Sequence, residues 1–305
     1  MNRPGEQRQP TGDAAGIGSL RNVHPGQRAF VIGNGPSLTV ADLEMLRNEI
    51  TFASNKIYLA FGDTSWRPTY YTVCDHLVAH HNAEMISMPH GTALFPSTLR
   101  EFGCSFENGF WYEERFENKF VSQLSESDIA EARLFFSHDA CQGIHGGYTV
   151  IYHQLQLAYH MGITQVYLIG IDFSFSVPTT TASDNRFQSQ VYSRPIVCQG
   201  EVNHFHKDYR KPGETWSVPR LDLQQRAFLT ALAEFEENGG ALINVSRKTA
   251  LRGVPRATLE AALNRNENEL AHVGAQQRRP KPSGISNLNK GGRHDSTATC
   301  LNTHK

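Results

Sequence analysis

The stretch EVNHFHKDYRKPGETW, residues 201–216, gathers His204, His206, Lys207, Tyr209 and Arg210 within a few positions. An imidazole can take a proton from a hydroxyl near neutral pH, and neighbouring Lys, Arg and Tyr side chains can grip a phosphate. His204 and His206 are therefore the candidate general bases, and Lys207, Tyr209 and Arg210 the candidate phosphate contacts. A His-x-His pair on an extended segment also puts both rings on one face, the beginning of a metal site, but no third ligand is obvious and no metal is expected. The loop follows a long polar stretch, and a long loop in a compact domain commonly acts as a lid, placed here at about residues 176–220.

A second constellation lies in RAFVIGNGPSL, residues 28–38, where four apolar residues run into Gly33-Asn34-Gly35-Pro36-Ser37. A strand, a glycine turn and a following helix make a nucleotide site, with Gly33, Asn34, Gly35 and Ser37 as its contacts. It is not the dinucleotide fingerprint, because the third glycine is missing and Asn55, not an acid, closes the next strand. No Gly-Lys-Ser/Thr follows either, so it is not a P-loop. The plain alternative is a strand-to-helix turn capped by Ser37 or Thr39. Further along, QGIHGGYTVIYHQ sets Gly146 and Gly147 before a long helix, whose first N–H groups can hold a phosphate or can be capped by Thr149. In CDHLVAHH only Asp75 is taken as a site residue, and His80 and His81 are read as surface.

The elements that must position these residues alternate. Strands are expected at RAFVIG (28–33), ITFASN (50–55), TYYTVCD (69–75), TALFPS (92–97), RLFFS (133–137), QVYLIGIDFSF (165–175) and ALINVS (241–246). Helices are expected at TVADLEMLRN, TVIYHQLQLAYHMG and DLQQRAFLTALAEFEENGG. Several strands are continuously apolar, as in a parallel sheet covered on both faces. The fold class is α/β: a Rossmann-like, doubly wound, mostly parallel sheet with helices on both faces and a lid loop. In that fold ligands bind at strand carboxyl ends, where Asn34, Asn55, Asp75, Gly170 and Asp172 all fall.

The whole chain bounds these readings. It has 305 residues, 39% of them hydrophobic, enough for a core. With 29 Lys plus Arg against 30 Asp plus Glu it has no basic field for nucleic acid. Five scattered cysteines without a CxxC pair fit a reducing cytoplasm. No leader and no transmembrane segment is expected, which leaves peripheral membrane association open. Residues 1–26 and 268–305 are polar and read as disordered ends of a single domain, 27–267.

VIGNGPSL, FASNKIYL, PTYYTVCD, GGYTVIYHQLQLAYHMGITQVYLIGIDFSF and NHFHKDYRKPG, in that order, resemble the MptE-like family. That family takes in 6-hydroxymethylpterin diphosphokinases and motility-associated-factor glycosyltransferases. The same motifs are similar to those of bacterial lipooligosaccharide sialyltransferases that use CMP-sialic acid. The resemblance covers about residues 28–260. It implies that Asn34 and Gly35 lie by the nucleotide phosphate and ribose and that Asn55 contacts the nucleotide. Asp75 stands where that family has an asparagine near the donor. Gly146 and Gly147 would approach the cytidine and phosphate, Gly170, Asp172 and Phe173 would line the base and ribose pocket, and a lid histidine, His204 or His206, would be the base. Ser174 departs from the pattern, which has a phosphate-binding tyrosine there; Tyr192 or Tyr209 is the candidate replacement.

The expected function is that of a glycosyltransferase-like enzyme. It would move a nonulosonic or sialic-type acid from a CMP-activated donor to a hydroxyl of a glycan or protein acceptor in surface glycan assembly. No cofactor is required, because a monophosphate leaving group does not oblige a metal. The alternatives are a 6-hydroxymethylpterin diphosphokinase using ATP and Mg²⁺, and a non-catalytic nucleotide-binding protein.

Overall fold

The computed structural model describes residues 16–178 and 195–264. Its strands are β1 (Arg28–Ile32), β2 (Ile50–Ser54), β3 (Tyr70–Thr72), β4 (Thr92–Pro96), β5 (Gly109–Tyr112), β6 (Glu114–Arg115), β7 (Ile144–His145), β8 (Gln165–Ile169), β9 (Pro195–Val197), β10 (Thr215–Ser217) and β11 (Ala241–Asn244). The α-helices are α1 (Val40–Met45), α2 (His76–Ile86), α3 (Glu126–Glu131), α4 (Val150–His160), α5 (Leu221–Glu237) and α6 (Leu259–Asn264). Seven strands form one sheet in the order β11-β8-β1-β2-β3-β4-β5, with every pairing parallel. This is the doubly wound α/β, Rossmann-like fold that the alternating elements anticipate.

The continuous apolar runs have a direct cause in the layering. Alternate side chains of a strand leave on opposite faces. Ala29 and Val31 of β1 join the cluster that holds Ile151 and Leu155 of α4 and Ala227 and Phe228 of α5. Phe30 and Ile32 join the opposite cluster, with Leu43 of α1 and Leu259 and Ala262 of α6. Each fully buried side chain of this size is worth about 1.5–3 kcal/mol, so both faces stabilise the sheet.

α4 lies in the middle of one layer and is buried almost all round, including His153, Gln154, Gln156 and His160. Those polar groups tie down loops. Gln156 Oε1 accepts from the N–H of Ser137 and His145, and Gln154 Nε2 donates to the carbonyl of Ala53. His160 Nδ1 accepts from the N–H of Ala140.

Several expectations need correction. RLFFS is not a strand, because its N–H groups go to side chains instead of a ladder: Leu134 to Thr230, Phe135 to Asn118 and Ser137 to Gln156. QVYLIGIDFSF ends as a strand at Ile169, where Gly170 and Phe173 take φ values of 68° and 56°. Residues 17–26, read as part of a disordered end, are packed. Ile17–Leu20 make a 3₁₀ turn with Ile17 and Leu20 buried, and the N–H groups of Asn22, His24 and Gly26 bond the carbonyls of His160, Met161 and Gly162 at and just past the end of α4. A helix end leaves those carbonyls without intrahelical donors, which is why the segment docks there. The tail 268–305 lies outside the described residues. No helix among the described residues is long and apolar enough to cross a membrane.

Candidate functional site

Strand order reverses between β1 and β8, so their carboxyl ends form the switch point. The two turns there pack on each other. Gly33 N–H donates to Ile169 O at 2.8 Å and Gly35 N–H to Gly170 O at 2.9 Å. A methyl on Gly33 would lie 2.4 Å from Ile171 Cδ1, and one on Gly35 would lie 2.6 Å from Asp172 Oδ1. Asp172 accepts from the Ser37 N–H at 2.9 Å and from the Ser37 hydroxyl. The glycines therefore let two backbones close together, and Ser37 and Asp172 satisfy each other. Thr39, not Ser37, caps α1, in a capping box with Asp42, which Arg247 also pairs.

Unsatisfied polar groups accumulate one step across the sheet. Asn34 Nδ2 donates to Ser54 O at 3.2 Å, which leaves Asn34 Oδ1 buried without a partner. Asn55 Oδ1, Thr72 Oγ1 and Gln154 Oε1 are buried without partners as well. Asn55 follows β2 with φ 52°, Thr72 ends β3 in register with Ser54, and Gln154 reaches the carbonyl of Ala53 from α4. Each buried polar atom left unpaired costs about 1–3 kcal/mol. These atoms all accept hydrogen bonds, so they fit a ligand that brings donors, such as ribose hydroxyls or the exocyclic amine of a base.

Residues 195–217 reach the same place. Phe205 N–H donates to Asn34 O at 3.0 Å, and β9 and β10 form an antiparallel pair around Ile196, Cys198 and Trp216. His204 stacks on Tyr209 with centroids 3.7 Å apart and planes 5° apart. Burial, with Arg210 and Lys56 nearby, holds the His204 imidazole well below its ordinary pKa, so it is neutral. Burial raises Tyr209, whose hydroxyl is met by the Lys56 backbone and the Asn55 side chain. Lys56 Nζ lies 3.3 Å from Glu214 Oε2. Arg210 stacks over Trp216 at 4.1 Å, and burial lowers its pKa. Among the described residues no hydrogen-bond acceptor reaches its guanidinium, and the Asp75 and Glu201 carboxylates act on it through their charge alone, which leaves its donors open to a ligand anion.

The other candidates are placed less centrally. His206 is part-exposed, and its Nδ1 accepts from the Asp208 N–H at 3.1 Å, which puts the proton of the neutral ring on Nε2. His204 and His206 thus face different groups, and among the described residues no three His, Cys, Asp or Glu side chains gather as a metal site. Lys207 is exposed. Asp75 caps α2, accepting from Leu77 N–H at 2.8 Å and Val78 N–H at 3.3 Å. Its charge still bears on Tyr209 and Arg210. Thr149 caps α4, while a methyl on Gly147 would lie 2.2 Å from Tyr152 Cδ1, so that glycine serves the packing of its own helix. Gly146 N–H donates to Arg115 O, and Phe173 packs edge-on to Phe228 at 5.9 Å. Tyr192 lies outside the described residues.

Sequence reading passed over Lys56, Trp216, Gln154 and, above all, Glu114. Glu114 follows β5 with 3% of its side chain exposed and Oε1 3.6 Å from His153 Nε2. Burial pushes its carboxyl up to about 7 and the His153 imidazole down to about 3. Tyr112, the last residue of β5, meets His153 Nδ1 at 2.8 Å. A carboxylate just past a strand is a signal that the sequence does contain, but β5 is four residues opened by a glycine and was not recognised as a strand.

No protein-family model and no curated protein matches the chain, so the MptE-like resemblance stands on its quoted motifs alone. Among solved structures the chain is similar to the MAf glycosyltransferase from Magnetospirillum magneticum AMB-1, with TM-score 0.45 and 13% identity over 80% of this chain and 37% of that one. It therefore spans little more than a third of that protein's length. It is also similar to the sialyltransferase CstII from Campylobacter jejuni in complex with a substrate analogue, cytidine-5'-monophosphate, with TM-score 0.39 and 15% identity over 76% of this chain and 86% of that one. The fold class rests on the strand order itself: a seven-stranded parallel Rossmann-like sheet.

Proposed function

We propose that the crevice at the carboxyl ends of β1, β2 and β3 binds a nucleotide-activated sugar, and that the enzyme transfers the sugar to a hydroxyl. The donor expected is a CMP-linked nonulosonic acid, and the acceptor a glycan or glycoprotein of the cell surface. The observation that carries this reading is the pairing of opposites under one lid. A set of buried acceptors asks for donors, and Arg210, without an acceptor, asks for an anion. A nucleoside monophosphate carries both, hydroxyls and an amine at one end and a phosphate at the other.

In this reading Asn34, Asn55, Thr72 and Gln154 receive the nucleoside. Arg210, with Lys56 beside it, takes the phosphate. His204 is neutral because burial and two cations disfavour its charge. An arriving phosphate reverses that balance, so His204 can hold a proton against the leaving group as negative charge develops there. Lid closure over Asn34 excludes water from the donor.

Pyrophosphoryl transfer from ATP would need carboxylates for Mg²⁺. Asp172 is engaged by Ser37 and Asp75 by the first turn of α2, which favours sugar transfer. The test is thermal stabilisation by CMP, UDP, GDP and ATP with and without Mg²⁺. A ligand at about 100 times its Kd adds roughly 2.7 kcal/mol. Selective, Mg²⁺-independent stabilisation by CMP is expected. A response to ATP alone that requires Mg²⁺ would sink the proposal, and CMP binding without turnover would point to a nucleotide sensor.

A further inference from the structure

Glu114 is an acid that the nucleotide site leaves without a role. Among the described residues no hydrogen-bond donor reaches its carboxylate, and His153 Nε2 at 3.6 Å stands just outside hydrogen-bond range. A buried carboxylate normally gathers donors or gives up its charge. The groups around it come from several segments of the chain. His153 projects from α4 and is held by Tyr112 of β5. Cys74, after β3, feels the charges of both Glu114 and Asp75. Lys119 is the cation that bears on Glu114, and His145, which pairs with Glu117 at 3.3 Å, bears on His153. The absent side chain of Gly146 leaves room for about a methyl group beside the acid, since a Cβ there would lie in ordinary contact 3.6 Å from Glu114 Oε1. Asp75 connects this corner to the lid, because its charge also bears on Tyr209 and Arg210.

Exposed aromatic residues lie on the segments that carry Lys119 and pack on His145. Phe116, Phe120 and Phe135 are 38%, 47% and 42% exposed, and Phe135 stacks on His145 at 5.5 Å. Asn118 ties Phe135 to Gly146, donating to both Phe135 O and Gly146 O. Phe120 and Phe135 meet edge-on at 6.5 Å, and Lys119 lies over the Phe116 ring at 3.9 Å; exposed aromatic side chains of this kind mark a binding surface, and an aromatic ring suits the C–H face of a pyranose.

Resting on the sugar-transfer reading, we infer that Glu114 is the catalytic base of an acceptor half-site, with His153 its positioning residue and the Phe116–Phe120–Phe135 rim the seat of a carbohydrate acceptor. The Glu114 carboxylate takes the proton of the acceptor hydroxyl while that oxygen bonds to the anomeric carbon. The bond from the anomeric carbon to the phosphate oxygen breaks, and its electron pair leaves with CMP. The proton then passes from Glu114 to solvent. Basicity near neutrality, which burial confers on Glu114, is what this step needs. An ionised Glu114 favours the His153 tautomer with the proton on Nε2, and Tyr112 then donates to Nδ1.

The experiment follows CMP release from CMP-N-acetylneuraminic acid across pH, with water alone and with lactose, beside calorimetric CMP affinity. It compares the wild type, Glu114→Gln and His153→Gln. The wild-type rate should rise to a plateau with an inflection near neutral pH. Glu114→Gln should lose about 10²-fold or more and the inflection with it, at unchanged CMP affinity. His153→Gln should keep the inflection but move it to higher pH. A Glu114→Gln profile that keeps the wild-type inflection would overturn the assignment while leaving sugar transfer intact. A wild type that neither binds CMP nor releases it would overturn the sugar-transfer reading and this one with it.

Discussion

Replacing Glu114 by glutamine should change how stability depends on pH, whatever the protein's substrate. Burial raises the carboxyl from an ordinary 4.5 to about 7. The folded chain thus binds this proton more tightly than the unfolded chain, so folding takes up a proton in the window between those values. Stability is fully supported below the lower value and falls as pH rises towards the upper one. At about 1.36 kcal/mol per pH unit the whole effect is roughly 3 kcal/mol, of which about 2 kcal/mol is lost between about pH 5.5 and 8. Glutamine keeps the shape and removes the titration. Urea denaturation of both proteins at those two pH values should show the variant gaining about 2 kcal/mol on the wild type at the alkaline end, with equal m-values. A stability difference that stays constant across the window would contradict a buried, unpaired Glu114, which would then be solvated or already paired in the folded state.

Gly35→Ala should destabilise by about 1–3 kcal/mol, since its methyl would lie 2.6 Å from Asp172 Oδ1 and 2.7 Å from Gly170 O. Gly62→Ala meets nothing within 4 Å and is the control; equal denaturation midpoints for the two variants would contradict the close packing of the switch point. Phe205→Pro removes the N–H that holds the 195–217 loop to Asn34 O, so proteolysis within residues 195–217 should quicken while the main melting transition stays in place. Unchanged cleavage would mean that the loop is held elsewhere. His153 is depressed to about 3 from an ordinary 6.5, so its contribution is present above 6.5 and lost as pH falls through that window. His153→Gln should therefore flatten the acid side of the stability curve, and an acid limb as steep as the wild type's would count against a neutral buried imidazole.

The parts of this protein that were legible in its sequence are those with repetitive causes. β1, β2, β4 and β11 are apolar on both faces because helices cover both faces, and α4 and α5 end at glycines. Asn34 and Asn55 could be picked out as polar residues at strand ends, and both carry orphaned oxygens. What stayed hidden depends on contacts distant in sequence. RLFFS has strand composition, yet Thr230, Asn118 and Gln156 take its N–H groups from elsewhere in the chain. GNGPS reads as a nucleotide turn, and what its sequence does not show is that Gly33 and Gly35 also make room for the segment from Gly170 to Asp172 packed against them. Glu114 became visible only when folding removed its side chain from water and set His153 beside it.

Calorimetric titration of CMP, with and without Mg²⁺, into the wild type and Arg210→Gln tests most directly whether an unpaired guanidinium under the lid holds a nucleotide phosphate. A charged hydrogen bond of about 1.5–3 kcal/mol corresponds to roughly a 10–150-fold change in affinity. Saturable, Mg²⁺-independent binding of CMP by the wild type is expected, weakened by at least about tenfold in Arg210→Gln. Equal affinity in the two proteins, or no CMP binding by either, would contradict it.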